Sequence, residues 1–369
     1  MLNDRQRTRR VSNIDTGKRT EFERDYTSIL YSYAFRRLKH KTQVFFLPQN
    51  DHISTRLEHS LYVSIISSVI ARNLGLDTML SQAIGIGHDL GHSPFGHAGE
   101  HIINEIMKKH GGFSHEKQSL RVVDKLEKPN NKTPYIGLDL TFAVRDGIVN
   151  HCGESFSNSL SPRENIEEEK LGREMMTPAT PEGCIVRLVD KIAYMGRDIE
   201  DGISANLIDR KDIPDGIIDR IGDKNGEIVD FFVEDLIANS TAEKIALSNN
   251  ASELLDELMH FNYENIYMNE KKDDFSEHTS RLVKTLYEVF YNVIEKNDSD
   301  IKKYLKQRKE SVRILGSFLD KRVLLYFEEE SYTSDEERIM RIITDFLASS
   351  TDREAYNMIN EFIMPRSLV

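Results

Sequence analysis

Apolar residues recur at three- and four-residue steps through most of this chain, which is the spacing of an α-helix rather than of a β-strand. The clearest case is residues 54–74, where Ser54 or Thr55 can cap the first turn and Gly75 can end the helix. Its apolar positions are Leu57, Leu61, Ile65, Ile66, Val69 and Ile70. The pattern predicts a helix that carries His59.

Shorter helices are predicted further along the chain by the same spacing, over residues 79–88, 114–126 and 139–151. The order Ser93-Pro94 is typical of a cap followed by a proline in the first turn, so another helix is predicted from there to Lys109. The polar stretch 155–181 has no regular spacing. We expect that stretch to form a mobile flap.

A long helix is predicted to start at Pro181, and its two sides differ in chemistry. The apolar side carries Leu188, Ile192, Met195 and Ile199. The polar side carries Arg187, Asp190, Tyr194, Arg197, Asp198 and Asp201. Because Asp190, Tyr194 and Asp198 are spaced four apart, they should point the same way. One helix face therefore combines a carboxylate suited to a metal with residues that can contact a ligand.

The rest of the chain also has helical spacing, in segments 227–245, 252–266, 276–296, 300–320 and 335–361. The pattern therefore predicts an all-α fold, with a short β-hairpin at a position that the spacing does not give. We expect three regions: a basic N-terminal arm with the first helix over 1–41, a core over 42–209 that holds the chemistry, and a helical C-terminal region over 210–369 packed on that core.

Charge narrows the classes of function. The chain has 49 Lys and Arg against 61 Asp and Glu, a net charge of −12, which argues against a general nucleic-acid coat. The first 41 residues differ, with eleven basic against five acidic side chains. That arm is either simply solvated or a contact for polyphosphate or single-stranded nucleic acid.

Cysteine use and hydropathy bear on location. Cys152 and Cys184 are far apart and lack metal-knuckle spacing, so no disulfide framework is predicted and a reducing cytoplasm fits. The longest apolar stretch without charge, residues 60–71, is shorter than the roughly 20 residues of a membrane span. We therefore expect a cytoplasmic protein with no membrane partner.

The adjacent pair His88-Asp89 is the strongest chemical signal, since an imidazole and a carboxylate can share one divalent ion. His59 and Asp190, both on predicted helices, can complete a set of two histidines and two aspartates. Such nitrogen and oxygen donors suit Mn²⁺ or Mg²⁺, and also Fe²⁺, Ni²⁺ or Zn²⁺. A lone His-Asp pair is more often structural, but here glycines and further histidines surround it.

Those further histidines predict acid–base chemistry and anion contact. His97 and Glu100 are three residues apart on a predicted helix, so the carboxylate can orient the imidazole and raise its basicity. His92 stands just before that helix, near its positive end, where phosphate oxygens bind favourably. His115 follows within the same region.

The residues His59, His88, Asp89 and Asp190 match the H…HD…D signature of the HD-domain phosphohydrolases, which this chain resembles. It is similar more narrowly to the deoxynucleoside triphosphate triphosphohydrolases of the dGTPase type. The likeness is carried by the block 87–100 together with RTEFERD at 19–25, AFRRL at 34–38, KTQVF at 41–45, TRLEHS at 55–60, GLDLT at 137–141, DKIAY at 190–194 and, more weakly, DFLASSTD at 345–352. It implies an HD-domain helical bundle with additional C-terminal helices.

The resemblance implies a reaction and a set of roles. Enzymes of that family cut a dNTP between the 5′ oxygen and the α-phosphorus, which releases a deoxynucleoside and inorganic triphosphate. The metal ligands implied are His59, His88, Asp89 and Asp190. The resemblance further implies that His97, oriented by Glu100, transfers the proton at the scissile bond. His92 and His115 would contact the phosphates.

The resemblance also implies residues that bind the substrate. Arg56 and Lys191 would neutralise phosphate charge. Tyr194 would crowd the 2′ position of the sugar, and Asp198 or Gln43 would accept a hydrogen bond from the 3′-hydroxyl. Members of the family are commonly tetramers or hexamers, so we expect a homo-oligomer.

Two other functions stay open on the sequence. An HD-type phosphodiesterase or nucleotidase, acting on cyclic nucleotides, alarmones or monophosphates, uses the same ligand set. A protein that senses dNTPs or single-stranded nucleic acid through the basic arm is the second. Release of triphosphate from a dNTP would distinguish the triphosphohydrolase from the phosphodiesterase or nucleotidase. Salt-dependent DNA binding that is lost on deletion of residues 1–18 would support the sensing role, alone or beside the enzymatic one.

Overall fold

The structure of the protein is a computed structural model that describes residues 6, 17–42, 53–127, 137–153, 158–164, 171–172, 176–268 and 271–364, without the side chains of 271–276. These residues are mainly helical, and they include one two-stranded sheet. The predicted all-α class is confirmed. No helix in the described ranges combines the length and the hydropathy that crossing a bilayer requires.

The first half of the chain supplies the helices around the predicted chemistry. They are α1 (Glu21–Leu30), α2 (Tyr33–Arg37), α3 (Arg56–Asn73), α4 (Thr78–Gly87), α5 (Gly96–Met107), α6 (His115–Arg121), α7 (Phe142–Val149) and α8 (Pro181–Ser204). Helix α6 continues as a π-helical turn over Val122–Leu126. Helix α8 starts at Pro181 as predicted, and the Thr180 side chain accepts a hydrogen bond from the backbone N–H of Gly183.

The second half adds helices that pack onto this group. They are α9 (Asp215–Ile221), α10 (Asn225–Asn239), α11 (Asn249–Asn262), α12 (Lys271–Asn297), α13 (Ile301–Leu305), α14 (Glu310–Asp320), α15 (Asp335–Ala348) and α16 (Asp352–Ile363). Two π-helical turns, Tyr263–Tyr267 and Leu325–Glu329, also belong to it. One continuous apolar core joins both halves, so the helical segments after residue 210 do not form a separate core within the described ranges.

Helices α3 and α4 cross at unusually close range, and small residues make this possible. A Cβ atom at Gly85 of α4 would come within 2.6 Å of the Ser64 Cα of α3. Helix α3 accordingly buries serines, whereas Leu61 and Ile65 of its predicted apolar stripe are 41% and 54% exposed. The close crossing brings His59 of α3 next to the residues that follow α4.

The start of α5 differs from the prediction. The helix begins at Gly96, and Ser93-Pro94 lies in the preceding turn instead of capping it. Phe95 takes the left-handed backbone conformation, with φ of 68°, and provides no side-chain cap. A long-range contact explains this turn, because the Phe95 N–H donates to the Asp352 carboxylate at 3.0 Å.

Two predicted helices are each divided in the structure. Segment 300–320 forms α13 and α14, and segment 335–361 forms α15 and α16. The second division lies at Thr351, whose side chain accepts from the Glu354 N–H while the Glu354 carboxylate accepts from the Thr351 N–H. This capping box starts a new helix where apolar spacing alone suggests continuity. In segment 227–245, the helix ends at Asn239, before the end of the helical spacing.

The two strands do not form the predicted hairpin. Strand β1 (Ser159–Leu160) pairs antiparallel with β2 (Ile245–Ala246), which comes from a distant part of the chain. Strand β1 belongs to the segment 155–181 that was predicted to form a mobile flap. Residues 155–157, 165–170 and 173–175 of that segment lie outside the described residues.

Candidate active site

The four predicted metal ligands come from three helices and meet in the structure. His59 lies in the first turns of α3, His88 and Asp89 follow the end of α4, and Asp190 lies in α8. His59 Nε2 is 2.9 Å from Asp190 Oδ1 and 3.3 Å from His88 Nε2. His88 Nε2 is 3.3 Å from Asp89 Oδ1 and 3.4 Å from Asp190 Oδ1. The predicted set therefore forms one cluster.

This cluster fits a divalent ion. His88 Nδ1 is 2.7 Å from the Gly85 carbonyl oxygen, so Nδ1 carries the proton and Nε2 presents a lone pair to the cluster. Donors at ~2.1 Å from a shared ion, at right angles, lie ~3 Å apart, which the four side chains approach. Two nitrogen and two oxygen donors suit a hard or borderline metal ion.

Electrostatics favour the ionised carboxylates. Burial opposes the charged forms here, but the neighbouring His88, His92 and Arg56 hold the pKa of Asp89 well below its usual value. The neighbouring His59 and His88 do the same for the pKa of Asp190, again against burial. Both aspartates are therefore ready to bind a cation near neutral pH.

Arg56 and His92 surround the cluster on the Asp89 side. The Arg56 guanidinium donates to Asp89 Oδ2 at 3.0 Å, and His92 Nε2 is 3.0 Å from Asp89 Oδ1. Both side chains are almost fully buried. Among the described residues, Arg56 Nε and its second terminal nitrogen have no hydrogen-bond partner. A buried guanidinium with N–H donors that lack a partner can bind an anion such as a phosphate.

Glu100 contacts two of the predicted histidines unequally. Its carboxylate lies 2.9 Å from His115 Nδ1 but 3.5 Å from His97 Nδ1. The backbone N–H of His115 also donates to it, at 2.7 Å. His97 is 77% exposed on α5, whereas His115 is buried. The carboxylate therefore fixes His115 firmly and leaves His97 free to turn toward a substrate.

One cavity joins the cluster to the predicted substrate residues. Its volume is about 660 Å³ when the open mouth is included. Its walls are formed by Arg56, His59, Asp89, His92, His97, His115, Cys152, Asp190, Lys191, Tyr194, Asp198 and Tyr267. The predicted series Asp190, Tyr194 and Asp198 thus faces one cavity. The remaining predicted contact, Gln43, lies outside the described residues.

Sequence reasoning missed three residues of this site. Tyr267, from the π-helical turn after α11, donates from its hydroxyl to Asp198. His151 and Cys152 follow α7 and lie beside His115 and Asp190. A signal for the last two existed, because His151-Cys152 is a pair of metal-binding residue types directly after a helix, as His88-Asp89 is. No comparable signal marks Tyr267.

The turn between the cluster and α5 is held by residues remote in sequence. The buried Lys41 ammonium donates to the His92 carbonyl and, at 2.6 Å, to the Ala348 carbonyl at the end of α15. Asp352 accepts from the Phe95 N–H through one oxygen and from Thr42 through the other. Burial lowers the pKa of Lys41 to about 7. Residues 41–42 and the C-terminal helices α15 and α16 therefore determine the conformation of the turn that carries His92.

Comparison with known proteins agrees with this geometry. The family model described as HD domain matches residues 56–195, which span all four clustered ligands. A deoxyguanosinetriphosphate triphosphohydrolase-like protein of Caldanaerobacter subterraneus subsp. tengcongensis is 38% identical over 94% of this chain and 86% of its own. A protein of the same name from Rickettsia bellii is 34% identical over 96% of this chain and 94% of its own. Another, from Clostridium perfringens strain 13, is 33% identical over 94% of this chain and 88% of its own. The chain belongs to the deoxyguanosinetriphosphate triphosphohydrolase-like family of HD-domain proteins.

Proposed function

We propose that this protein is a divalent-metal-dependent triphosphohydrolase that converts a dNTP, with dGTP among its substrates, to a deoxynucleoside and inorganic triphosphate. The proposal rests on the cavity beside the cluster of His59, His88, Asp89 and Asp190. Arg56 lines the same cavity, and two of its guanidinium nitrogens have no hydrogen-bond partner among the described residues. The names of the relatives support the same substrate class. A Mn²⁺ or Mg²⁺ ion bound by the four ligands would supply Lewis acidity and an activated water.

Four side chains would bind the phosphates. Arg56 lies on the cavity wall and has two guanidinium nitrogens without a partner among the described residues, so it would donate to a phosphate oxygen near the cluster. Lys191, on the cavity wall next to Asp190 in sequence, would neutralise charge further out. His92 and His115, whose rings stack at 3.9 Å between centroids, would line the phosphate path. Charge neutralisation of this kind is a main requirement of phosphoryl transfer.

His97 would transfer the proton at the scissile bond. Its ring is exposed, it lies on the cavity wall, and the Glu100 carboxylate can orient it through Nδ1. The other ring nitrogen, Nε2, would then give its proton to the leaving 5′ oxygen. A histidine is suited to this step, because its ordinary pKa lies close to neutral pH.

The sugar would contact α8 and the turn after α11. Tyr194, one helical turn beyond Asp190, would close against the 2′ carbon and disfavour a ribose hydroxyl there. Asp198 would accept a hydrogen bond from the 3′-hydroxyl, with its carboxylate held in place by the Tyr267 hydroxyl. The proposal therefore predicts a preference for deoxyribonucleotides over ribonucleotides.

The test is product analysis with the full-length chain. Each dNTP is incubated singly and in mixtures with Mn²⁺ or Mg²⁺, and the products are separated by ion-exchange chromatography and identified by ³¹P NMR. Deoxynucleoside with intact triphosphate is the expected result. A nucleoside monophosphate with pyrophosphate, or turnover of cyclic nucleotides alone, would instead support a phosphodiesterase or nucleotidase and refute the proposal.

A matched pair of variants ties activity to the cluster. Asp190→Asn keeps the size of the side chain but removes a charged metal ligand, so turnover should fall by about 10²-fold or more. Asp219→Asn makes the same chemical change at an exposed position of α9 and should leave turnover unchanged. Equal activity of both variants would contradict a role for the cluster.

A further inference from the structure

A second group of metal-binding side chains lies beside the four-ligand cluster. His115, His151 and Cys152 each offer one donor atom, and these atoms all lie within 4.8 Å of one another. His115 begins α6, whereas His151 and Cys152 directly follow α7. Neither His151 nor Cys152 has a role in the proposed function.

The two imidazoles are oriented as metal ligands are. His115 Nδ1 lies 2.9 Å from the Glu100 carboxylate, and His151 Nδ1 lies 2.6 Å from the Ile148 carbonyl oxygen. Each Nδ1 must therefore carry a proton, which leaves Nε2 as the free nitrogen of each ring. The two Nε2 atoms face each other at 3.3 Å. Only a shared proton or a cation makes that approach favourable.

The same construction occurs in the four-ligand cluster. There, His88 Nδ1 is fixed by the Gly85 carbonyl, and His88 Nε2 faces His59 Nε2, also at 3.3 Å. Fixed Nδ1 protons on a carboxylate or a carbonyl, with the Nε2 atoms converging, are the usual surroundings of histidine ligands. The second pair therefore repeats two features of the first, the facing Nε2 atoms and the fixed Nδ1 atom that is seen at His88.

A third donor distinguishes the second group from a pair that merely shares a proton. Cys152 Sγ lies 3.9 Å from His115 Nε2 and 3.9 Å from Asp190 Oδ2. In a tetrahedral zinc site, with bonds of about 2.0 Å to nitrogen and 2.3 Å to sulfur, ligand atoms lie about 3.3 to 3.6 Å apart. The 3.9 Å between Cys152 Sγ and His115 Nε2 is near that range. A half-buried thiol on the cavity wall completes three ligands and leaves a fourth position open.

We propose that His115, His151 and Cys152 bind a second metal ion of thiophilic character, such as Zn²⁺, next to the ion of the four-ligand cluster. Asp190 lies between the two positions, with Oδ1 toward His59 and Oδ2 toward Cys152. The thiol proton is released to solvent when the thiolate binds the metal. Because sulfur favours Zn²⁺ while nitrogen and oxygen admit Mn²⁺ or Mg²⁺, the two positions should differ in metal preference.

A second ion would change the role of His115. Its Nε2 would bind the metal instead of donating to a phosphate oxygen, and the ion itself would present the positive charge on that wall of the cavity. Paired metal ions about 3.5 to 4 Å apart are an established way to stabilise phosphoryl transfer. The inference goes beyond the proposed function, since a structural ion at this place would be compatible with any reaction at the first.

The test is cobalt substitution of the full-length protein. Co²⁺ bound by a thiolate gives a strong charge-transfer band in the near ultraviolet, which nitrogen and oxygen ligands do not give. The wild-type protein should show this band and bind about two Co²⁺ ions per chain, as measured by atomic emission after gel filtration. Cys152→Ser should lose the band and about one ion while keeping the weak visible bands of the first site.

Cys184→Ser is the matched control, because Cys184 is the other cysteine of the chain and is buried in α8 away from the cavity. It should keep both the band and the second ion. A wild-type protein without the band, or with one ion per chain, would overturn the proposal and leave His115 and His151 as a proton-sharing pair. The wild-type spectrum decides even where a variant fails to fold, and dNTP hydrolysis is assayed separately.

Discussion

At the residue scale, the Glu100 carboxylate determines how the neighbouring histidines can act. It holds the ring and the backbone N–H of His115, and it lies further from His97. Burial opposes a charge on His115, yet Glu100 raises the pKa of His115 well above its usual value. In the absence of a second ion, His115 is therefore a cation, while the exposed His97 is the group that can move to the substrate.

His97→Ala tests the proposed proton transfer. Loss of a general acid costs about 10²- to 10⁴-fold, so kcat for dNTP hydrolysis should fall by that factor while Mn²⁺ binding stays unchanged. Steady-state kinetics and a metal-binding titration measure the two effects. His101→Ala provides the control, because His101 lies on the same helix and is 71% exposed, close to the 77% of His97.

The two variants should differ clearly. Both remove an exposed imidazole from α5, so any general effect on folding or surface charge is shared. A fall in kcat of equal size in both would show that His97 has no special part in the reaction. Wild-type kcat in His97→Ala would have the same meaning.

The sequence allowed the main residues of the site to be predicted because their chemistry is local. His88 and Asp89 are adjacent, and helical spacing alone places Asp190, Tyr194 and Asp198 on one face. The structure brings Asp89, Asp190, Tyr194 and Asp198 to one cavity, and the buried His88 lies against Asp89 and Asp190. Which side chain contacts which was not predictable, since the preference of Glu100 for His115 depends on how the turn before α6 folds back onto α5. The pair His151-Cys152 has a local signal that was missed, but its contacts with His115 and Asp190 likewise depend on the tertiary fold.

At the element scale, the turn before α5 depends on contacts from the C-terminal helices. Asp352 is the first residue of α16, and its carboxylate holds the Phe95 N–H on one oxygen and Thr42 on the other. Phe95 keeps a left-handed backbone there, which costs energy for a large side chain. The contact with Asp352 offsets that cost, and it is invisible to local sequence patterns.

Asp352→Asn should loosen this turn. Both carboxylate oxygens of Asp352 accept hydrogen bonds from backbone N–H groups. An asparagine has only one acceptor oxygen, so its NH₂ group would face the N–H of either Phe95 or Thr42, and two donors cannot form a hydrogen bond. Loss of hydrogen bonds to a buried charged group should destabilise the protein by about 1.5 to 3 kcal/mol. Because His92 and His97 flank the turn, kcat should fall as well. Urea unfolding and steady-state kinetics measure both effects.

Asp335→Asn is the control that separates the loss of the contact with the turn from the loss of a negative charge at the N-terminus of a helix. Asp335 is the first residue of α15, as Asp352 is of α16, but its side chain is 83% exposed. Removing its charge should cost no more than about 1 kcal/mol through the dipole and leave kcat unchanged. If both variants lose the same free energy of unfolding and neither loses activity, the contact between Asp352 and the turn is not needed for catalysis.

The predictions for whole elements succeeded where the apolar spacing was long and regular. Helix α8 was predicted with its start and its two faces, because Thr180 and Pro181 mark the first turn locally. Helix α3 was predicted in extent, but its orientation was not, since the close approach of Ser64 to Gly85 turns the serines inward and leaves Leu61 and Ile65 exposed. Strand pairing between residues 159–160 and 245–246 required knowledge of the tertiary fold.

At the scale of the whole molecule, several expectations stay predictions. The division into an arm, a core and a C-terminal region is one, and assembly into a tetramer or hexamer is another. Contact of single-stranded nucleic acid with the basic N-terminal arm is a third, and residues 7–16 of that arm lie outside the described ranges. The last two concern surfaces whose partners are other molecules, which neither helical spacing nor the internal packing specifies.

Metal binding should connect the site to the stability of the entire fold. The four ligands belong to α3, the turn after α4, and α8, so a bound ion joins three segments that pack against one another. A ligand that binds only the folded state stabilises it by about 2.7 kcal/mol when its free concentration is a hundred times its Kd. Mn²⁺ should therefore raise the Tm of the wild-type protein by several degrees, and a chelator should reverse the rise.

The same measurement on variants identifies the source of the effect. Asp190→Asn should show little or no Mn²⁺-dependent rise in Tm, because the cluster loses one of its charged ligands. Asp219→Asn should respond as the wild type does, since its charge lies on the surface of α9. An undiminished rise in Asp190→Asn would place the stabilising ion elsewhere in the molecule, and the four side chains would then be a hydrogen-bonded polar cluster rather than a metal site.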